Sequence, residues 1–526
     1  MSVVENVSRK AAEEARNPGP VQAPMIPEVV QPVEVVVGET KQSWVRKVPL
    51  LKAFAAPEVL PVAVAENGEW APYEEQGTRL RKKERRARNG YYAPAFQGAP
   101  TTTRQGEILN TALIAAPTGW AGVAAGRDVL SQTAISKDPI TDYNIVPRRI
   151  TSTNVLIVGD VGVGKSSYTK TVYAARPLIL RQRRAVVFDK KNENGEGEYS
   201  QLVREFHGTP LRFAMDETGV TFNIMDKAIS GVNDDGLNNQ LVYLNTIPAL
   251  MRDGRNADEW ERKGIRLAYR SMMKDLESVR TPTTADLHDR LGIIDVNEPT
   301  LAGMSPEALE RLHQAGVAMR LCFNELLETY GNIFDGETSK HVKLDSKLTS
   351  FDISQLPDSG PVIPMVMGLA NLWLLGTVRQ PQYRGIRTNV INEEAGHILG
   401  GPLAVQQRSN IKLSRGLGLS NIYCIHKGAT DIPPGSPGMA VIEEAQTVHI
   451  FKQDKPEAAQ WCVNTFGLNP ETVHDLMDLD PGHHILKSGA SVPEIEIEHI
   501  RSSWEMELTD TDSALSEGTS GYTAID

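Results

Sequence analysis

Cysteine is scarce in this chain. Three residues, Cys322, Cys424 and Cys462, lie far apart among 526 positions and show no C-x-x-C spacing. That excludes a disulfide framework and a cysteine-rich zinc site, and it suits a reducing compartment. The first twenty residues, MSVVENVSRKAAEEARNPGP, lack the apolar stretch of a signal peptide. Two uncharged runs approach membrane-spanning length, but residues 108–126 are broken by Pro117, Gly119 and Gly122, and residues 359–378 by Pro361, Pro364 and Gly368. A spanning helix is more uniformly apolar, so the second run reads as a buried core helix and the chain as cytoplasmic, with no transmembrane segment of its own. No NKxD guanine-specificity motif and no zinc finger or other base-reading motif is present. The net charge of −11 argues against a protein coated everywhere in DNA-binding surface, while leaving room for a local basic path.

What is present divides the chain. Residues 1–77 are rich in Pro, Val, Ala and Glu without a sustained period and read as largely disordered, apart from a docking stripe of Trp44, Val48, Leu51 and Phe54. Residues 79–88, RLRKKERRAR, form a basic run with two readings: contact with nucleic acid or an anionic membrane surface, or a solvated helix face. Residues 78–150 read as this run plus a small lead-in module, with turns at Gly126-Arg127-Asp128 and Lys137-Asp138-Pro139. Short apolar strands alternating with helical stretches over 151–233 and 346–503 give the pattern of a parallel sheet covered on both faces. The strands expected are 154–158, 185–189, 211–213, 222–226, 348–353, 388–392, 420–425, 447–451 and an edge strand at 484–487. Between the two halves, residues 234–345 read as an all-α insertion, with a capped helix start at Thr283. The acidic segment 504–526 reads as a disordered tail.

The stretch around which the chain is organised is NVLIVGDVGVGKSS, residues 154–167. An apolar strand runs into Gly159-Asp160-Val161-Gly162-Val163-Gly164-Lys165-Ser166, and a helix begins near Ser166. This is GxxxxGK[ST]: glycines let consecutive N–H groups face phosphate oxygens, the lysine reaches the β- and γ-phosphates, and Ser166 ligates Mg²⁺, with Ser167 completing the loop. The helix adds the positive end of its dipole. Nucleotide binding follows from the motif and its strand–loop–helix context together.

Hydrolysis needs more than a phosphate cradle: a carboxylate toward the metal and a group that orients water. VINEEAGHIL, residues 390–399, supplies an apolar strand followed by Glu393 and Glu394. Glu393 is read as the Mg²⁺-side carboxylate and Glu394 as the one that polarises water; the bland alternative is an acidic helix N-terminus. The strand SNIYCI ends at His426, a candidate γ-phosphate sensor or a capping histidine. Arg415 is a candidate arginine finger reaching across a subunit boundary, with Arg408 as its rival. His397, His483 and His484 have no metal-like partners in sequence and read as structural.

The order GDVGVGKSS, VVFDKKNENGEGEY, FNIMD, FDIS, VINEEAGHIL, SRGLGLSNIYCIHK resembles the HerA–FtsK class of P-loop motors. More narrowly it is similar to the conjugation ATPases of type IV secretion systems, in the compact form of actinobacterial mobile elements, over residues 78–512. The resemblance implies an α/β RecA-like P-loop NTPase fold, a mainly parallel sheet flanked by helices. It implies ATP and Mg²⁺, Glu394 as catalytic glutamate and Arg415 as trans-acting finger. It also implies a homo-oligomer, a hexamer, working with membrane channel proteins at the inner face of the cell membrane and acting on DNA, protein or both. Two positions depart from the family pattern: Glu393 stands where Asp is usual, and His426 where Gln is usual. The long N-terminal domain of larger members is expected to be missing. Three functions stay open: a secretion motor, a DNA translocase of the FtsK or coupling-protein kind, and a nucleotide-controlled switch. The paired glutamates favour turnover over the switch.

Overall fold

The structure, a computed structural model, describes residues 121–509 apart from 147, 149, 230–237, 253, 296 and 490–491. The basic run at 79–88, the stripe at 44–54 and the acidic residues 510–526 lie outside the described residues.

Thirteen strands are described: β1 (Ala124–Asp128), β2 (Ala134–Ser136), β3 (Val155–Val158), β4 (Arg183–Asp189), β5 (Asn192–Glu193), β6 (Glu196–Gly197), β7 (Leu211–Arg212), β8 (Leu348–Asp352), β9 (Arg387–Asn392), β10 (Leu419–Ile425), β11 (Thr447–Phe451), β12 (His483–Ser488) and β13 (Ile495–Glu498). Eleven build one sheet in the order β2-β1-β13-β12-β11-β3-β10-β9-β4-β8-β7, and β5 with β6 forms a separate hairpin. The seven strands from β11 to β7 pair parallel, and the four at the other edge pair antiparallel. The sheet is mainly parallel and flanked by helices, as the alternation of strands and helices predicts.

Both faces of the central strands are covered, and the strand before the P-loop, β3, is an unbroken apolar run from Val155 to Val158. Leu156 and Val158 join one core with the helix Val362–Val378, whose side chains are nearly all buried. Val155 and Ile157 join the other core with Tyr168, Val172 and Leu178 from the helix after the P-loop. No helix among the described residues is long and apolar enough to cross a membrane.

Residues 239–334 carry the helices Asn239–Met251, Glu259–Leu276, Thr284–Arg290 and Pro306–Phe334. Two begin with complete capping boxes, Asp258 with Glu261 and Thr283 with Asp286, which satisfy orphan N–H donors at each helix start.

The structure corrects four expectations. Residues 222–226 form no strand. The Phe222 ring is buried against Phe213 and Phe351, but the Asn223 side chain accepts from the Met225 N–H (2.8 Å) and diverts the backbone into a turn. β12 is interior rather than an edge strand, because β13 pairs along it and β1 along β13. Gly126-Arg127-Asp128 lies in β1 rather than a turn; a Cβ at Gly126 would meet the Glu498 carbonyl oxygen, so close strand pairing selects glycine there.

Finally, the acidic tail begins as structure: Ser503–Thr509 is a helix. Arg176 grips it, with Nε and Nη2 donating to the Glu505 carboxylate at 2.6 and 3.0 Å and Nη2 also donating to the Ile500 carbonyl at 2.6 Å. The Trp504 ring meets Phe206 edge-on. Arg176 and a Ser502 backbone N–H hold the Glu505 carboxyl down to about 2 against the desolvation that opposes them. Its folded value lies below the ordinary 4.5, so the pair's contribution is complete above that value and is lost as pH falls toward 2. Glu505→Gln is expected to lower unfolding free energy by about 1–2 kcal/mol at neutral pH. In urea titrations the gap to wild type should narrow below pH 4.5; a gap independent of pH would show that the ion pair contributes nothing.

Candidate functional site

β3 delivers the chain to the C-terminal edge of the sheet, where the strand order departs on both sides: β10 lies on one flank and β11 on the other. That is the switch point at which open α/β sheets form a ligand crevice. The loop 159–164 wraps there, with Gly162 at φ +79 and Gly164 at φ +96, conformations that side chains resist. It is pinned from below by β11 and its exit: the Asp160 N–H donates to the Lys452 carbonyl (3.2 Å), and the Asp454 N–H donates to the Asp160 carboxylate (2.7 Å). The helix starts at Lys165–Tyr168 and continues as π-wound Thr169–Ala175. Thr169 and Thr171 hydroxyls donate back to the Lys165 and Ser167 carbonyls.

The Lys165 ammonium is buried. Nζ donates to the Asp160 carbonyl at 2.6 Å and to His426 Nδ1 at 3.3 Å. Burial lowers its pKa from the ordinary lysine value, while Cys424, Glu393 and Asp160 act to raise it. An ammonium has no acceptor, so His426 Nδ1 accepts and the ring proton sits on Nε2. Burial and the nearby Lys165 charge lower the His426 pKa, which keeps the ring neutral. Nε2 faces Glu394 Oε1 at 4.0 Å. His426 thus stands between the lysine and the glutamate, and its backbone N–H donates to the Asp431 carboxylate at 2.8 Å.

Glu393 and Glu394 follow β9 and have opposite environments. Glu393 is buried, and its Oε1 accepts from the Tyr199 hydroxyl at 2.6 Å. Burial and the Glu198 charge push it up to about 7, against the pull of Tyr199, Lys165 and Lys170. Glu394 is half-exposed and sits at φ +51, a left-handed conformation rare for a residue with a side chain and concentrated at functional turns. His397 Nε2, 3.6 Å from its Oε2, holds its carboxyl below the ordinary range. One carboxylate is therefore poised near neutrality and the other is ionised, the separation that divides roles within a pair.

Lys165, Ser166, Ser167, Glu393, Glu394 and His426 line one cleft of about 490 Å³, together with Val161, Gly162 and Gly164. Gly159, Asp160 and Val163 lie beneath it; Val163 accepts from the Gly482 N–H at 3.2 Å. No group of three or more His, Cys, Asp or Glu among the described residues would hold a metal by itself. Ser166 and Glu393 offer a hydroxyl and a carboxylate at the cleft, donors that suit Mg²⁺, which takes one or two protein oxygens and completes its shell with water and phosphate. Arg415 begins the turn Arg415–Leu417 ahead of β10, at the opposite end of that strand from His426. Arg408 is exposed on the helix Ala404–Ser414. His397 touches Glu394 rather than standing apart, while His484 is buried among Tyr168, His449 and Phe451.

Sequence reasoning missed Tyr199, buried behind Glu393, and the cleft residues Lys191, Gly482, Arg501 and Thr509. Lys191 and Tyr199 fall within DKKNENGEGEY, where a strand ending in charge and a turn-forming NENG pointed to a hairpin beside the site. Arg501 and Thr509 come from the far end of the chain and left no local signal; Arg501 Nη1 donates to the Thr509 hydroxyl (3.1 Å), itself 3.3 Å from the Ser167 hydroxyl.

No protein-family model matches the chain, and no curated protein matches its sequence. Among solved structures it is similar to VirB4 of Thermoanaerobacter pseudethanolicus, with a TM-score of 0.58 and 15% identity over 74% of this chain and 99% of that one. It also aligns with the bacterial conjugative coupling protein TrwBΔN70 at a TM-score of 0.46 and 13% identity, over 74% of this chain and 95% of that one. TrwB in complex with ADP and Mg²⁺ aligns at 0.45 and 13%, over 67% and 85%. What the chain shares with VirB4 is its fold, that of a P-loop NTPase.

Proposed function

We propose that this chain is an ATP-hydrolysing motor of the conjugative-transfer and type IV secretion class, energising passage of DNA or protein through a membrane channel. The observation that carries the proposal is the convergence of three adjacent strand ends: Lys165 and Ser166 after β3, Glu393 and Glu394 after β9, and His426 after β10. Loop N–H groups and Lys165 bind the phosphate tail, and Ser166 and Glu393 would hold Mg²⁺, which would supply positive charge to the phosphoryl oxygens. Glu394, ionised and exposed to the cleft, orients the attacking water. His426, linked to both Lys165 and Glu394, reports the state of the γ-phosphate.

Arg415 serves a neighbouring copy. Its backbone and His426 are separated by the seven residues of β10, roughly 20 Å at the rise of a strand. That span keeps it from its own nucleotide and supports a homo-oligomer, a hexamer by family resemblance, with ATP between protomers. The α-helical stretch 234–345 would face cargo or channel proteins, with the motor cytoplasmic and peripheral at the membrane. The translocase reading differs in its trigger: DNA itself, rather than a channel protein, would raise turnover.

Lys165→Ala is expected to weaken ATP binding by about 100-fold in calorimetry; unchanged affinity would remove the loop from the proposal. Glu394→Gln should bind ATP normally and lose about 100-fold or more in kcat. Turnover that survives there but disappears in Glu393→Gln would reverse the two roles. Arg415→Ala should be inactive alone and regain activity on mixing with Lys165→Ala protomers, since each supplies what the other lacks. Failure of mixing to restore any rate would remove the trans assignment. Steady-state ATPase of the full chain with and without double-stranded DNA separates the motors: several-fold stimulation marks the translocase, and indifference marks the secretion motor.

A further inference from the structure

We propose that Tyr199 is a positioning residue for the nucleotide site, holding the Glu393 carboxylate in the geometry that engages Mg²⁺. The inference rests on the reading of Glu393 as the Mg²⁺-side carboxylate and adds what fixes it there.

A glutamate has one more rotatable bond than an aspartate, so at a metal site its carboxylate needs an anchor. Tyr199 supplies one: its hydroxyl donates to Glu393 Oε1 at 2.6 Å, and its side chain is wholly buried. Packing accounts for the ring but not for the hydroxyl. A phenylalanine would fill the same space, whereas a buried hydroxyl is costly unless it has a partner, and that partner is Glu393.

The anchor is itself fixed. Tyr199 follows the β5–β6 hairpin, which lies over the C-terminal ends of β4 and β8. Asp189, the last residue of β4, accepts from the Tyr199 N–H at 2.8 Å, and Asp352, the last residue of β8, accepts from the Gly197 N–H at 3.1 Å. Both aspartates are buried, and burial raises the pKa of Asp189 well above the ordinary carboxyl value. Their backbone hydrogen bonds give these two carboxyls a structural role that the hydrolysis mechanism leaves unfilled. Gly197 is pressed so closely on them that an added Cβ would collide with Asp189 Oδ2. Beside it Glu198 is buried between Lys170 at 3.9 Å and Lys191 at 3.1 Å, and Lys170 Nζ lies 5.4 Å over the Tyr199 ring. The hairpin, two strand ends and the P-loop helix are thus tied at one point, and that point carries the phenol.

The test is Tyr199→Phe in the full chain, followed by Mg²⁺ titration of the binding of a fluorescent ATP analogue, and by kcat and KM. Nucleotide affinity in EDTA should match wild type. The Mg²⁺ concentration for half-maximal enhancement should rise about tenfold, the loss of one charge-assisted hydrogen bond, and kcat should fall more than KM changes. Adding Tyr199→Phe to Glu393→Gln should change nothing further, because the anchored group is already gone. A merely structural tyrosine would lower the melting temperature and leave the Mg²⁺ requirement alone, which overturns the proposal. If Tyr199→Phe does not fold, Glu393→Asp draws the carboxylate back from an intact phenol and should show the same raised requirement; a wild-type value there overturns it too. The broader assignment fails differently: Glu393→Gln itself would then leave the Mg²⁺ requirement unmoved.

Discussion

Burial of β3 on both faces is the constraint from which the rest follows. Its four residues, Val155, Leu156, Ile157 and Val158, are fully buried between two hydrophobic cores. A strand enclosed in this way carries apolar side chains, and the reactive groups of the site collect where β3, β9 and β10 end. The P-loop, the paired glutamates and His426 are all strand-end features, brought into line because β9, β10 and β3 are neighbours in register. Without the antiparallel extension β12-β13-β1-β2, the sheet would end beside the P-loop strand at β11, and the loop that accepts from Gly482 would lose its outer wall.

The strand ends then create an electrostatic problem. Asp189, Glu198, Asp352 and Glu393 are all buried around the first turns of the P-loop helix, near Lys165, Lys170 and Lys190. Buried charge is tolerated only when paired or hydrogen-bonded. Each carboxyl has its own partner: backbone N–H groups for Asp189 and Asp352, two lysines for Glu198, and a phenol for Glu393. Burial pushes the Glu393 carboxyl up to about 7, while His397 holds the carboxyl of Glu394, the next residue, below the ordinary range. Adjacent residues of one type that line one cleft therefore differ in proton affinity because one is buried and the other half-exposed.

The C-terminal segment belongs to the same site through one cation. Arg176, at the far end of the P-loop helix, holds Glu505, the Ile500 carbonyl and the Ala124 carbonyl together. That clamp sets Arg501 and Thr509 against the cleft. The chain's last described helix is only seven residues long, so its stability comes from docking rather than from propensity.

The sequence by itself determined the P-loop, the glutamate pair and the α/β pattern, because phosphate binding needs consecutive backbone groups and a buried parallel strand needs consecutive apolar side chains. Those are local demands, legible in residues 154–167 and 390–394. It also located the helices between the two halves of the sheet, since capping boxes at Asp258 and Thr283 are local as well. Tertiary structure alone decided that β12 is interior and that Ser503–Thr509 is helical, because each depends on a partner distant in sequence: β13 with β1, and the guanidinium of Arg176. The turn at 222–226 is local by contrast, set by the Asn223 side chain on the Met225 N–H. Distant partners likewise place Tyr199 on Glu393, 194 residues away, and Arg501, which lines the cleft with Lys165 from far along the chain. A side chain's neighbours across a sheet are set by strand order, and strand order is a property of the folded chain.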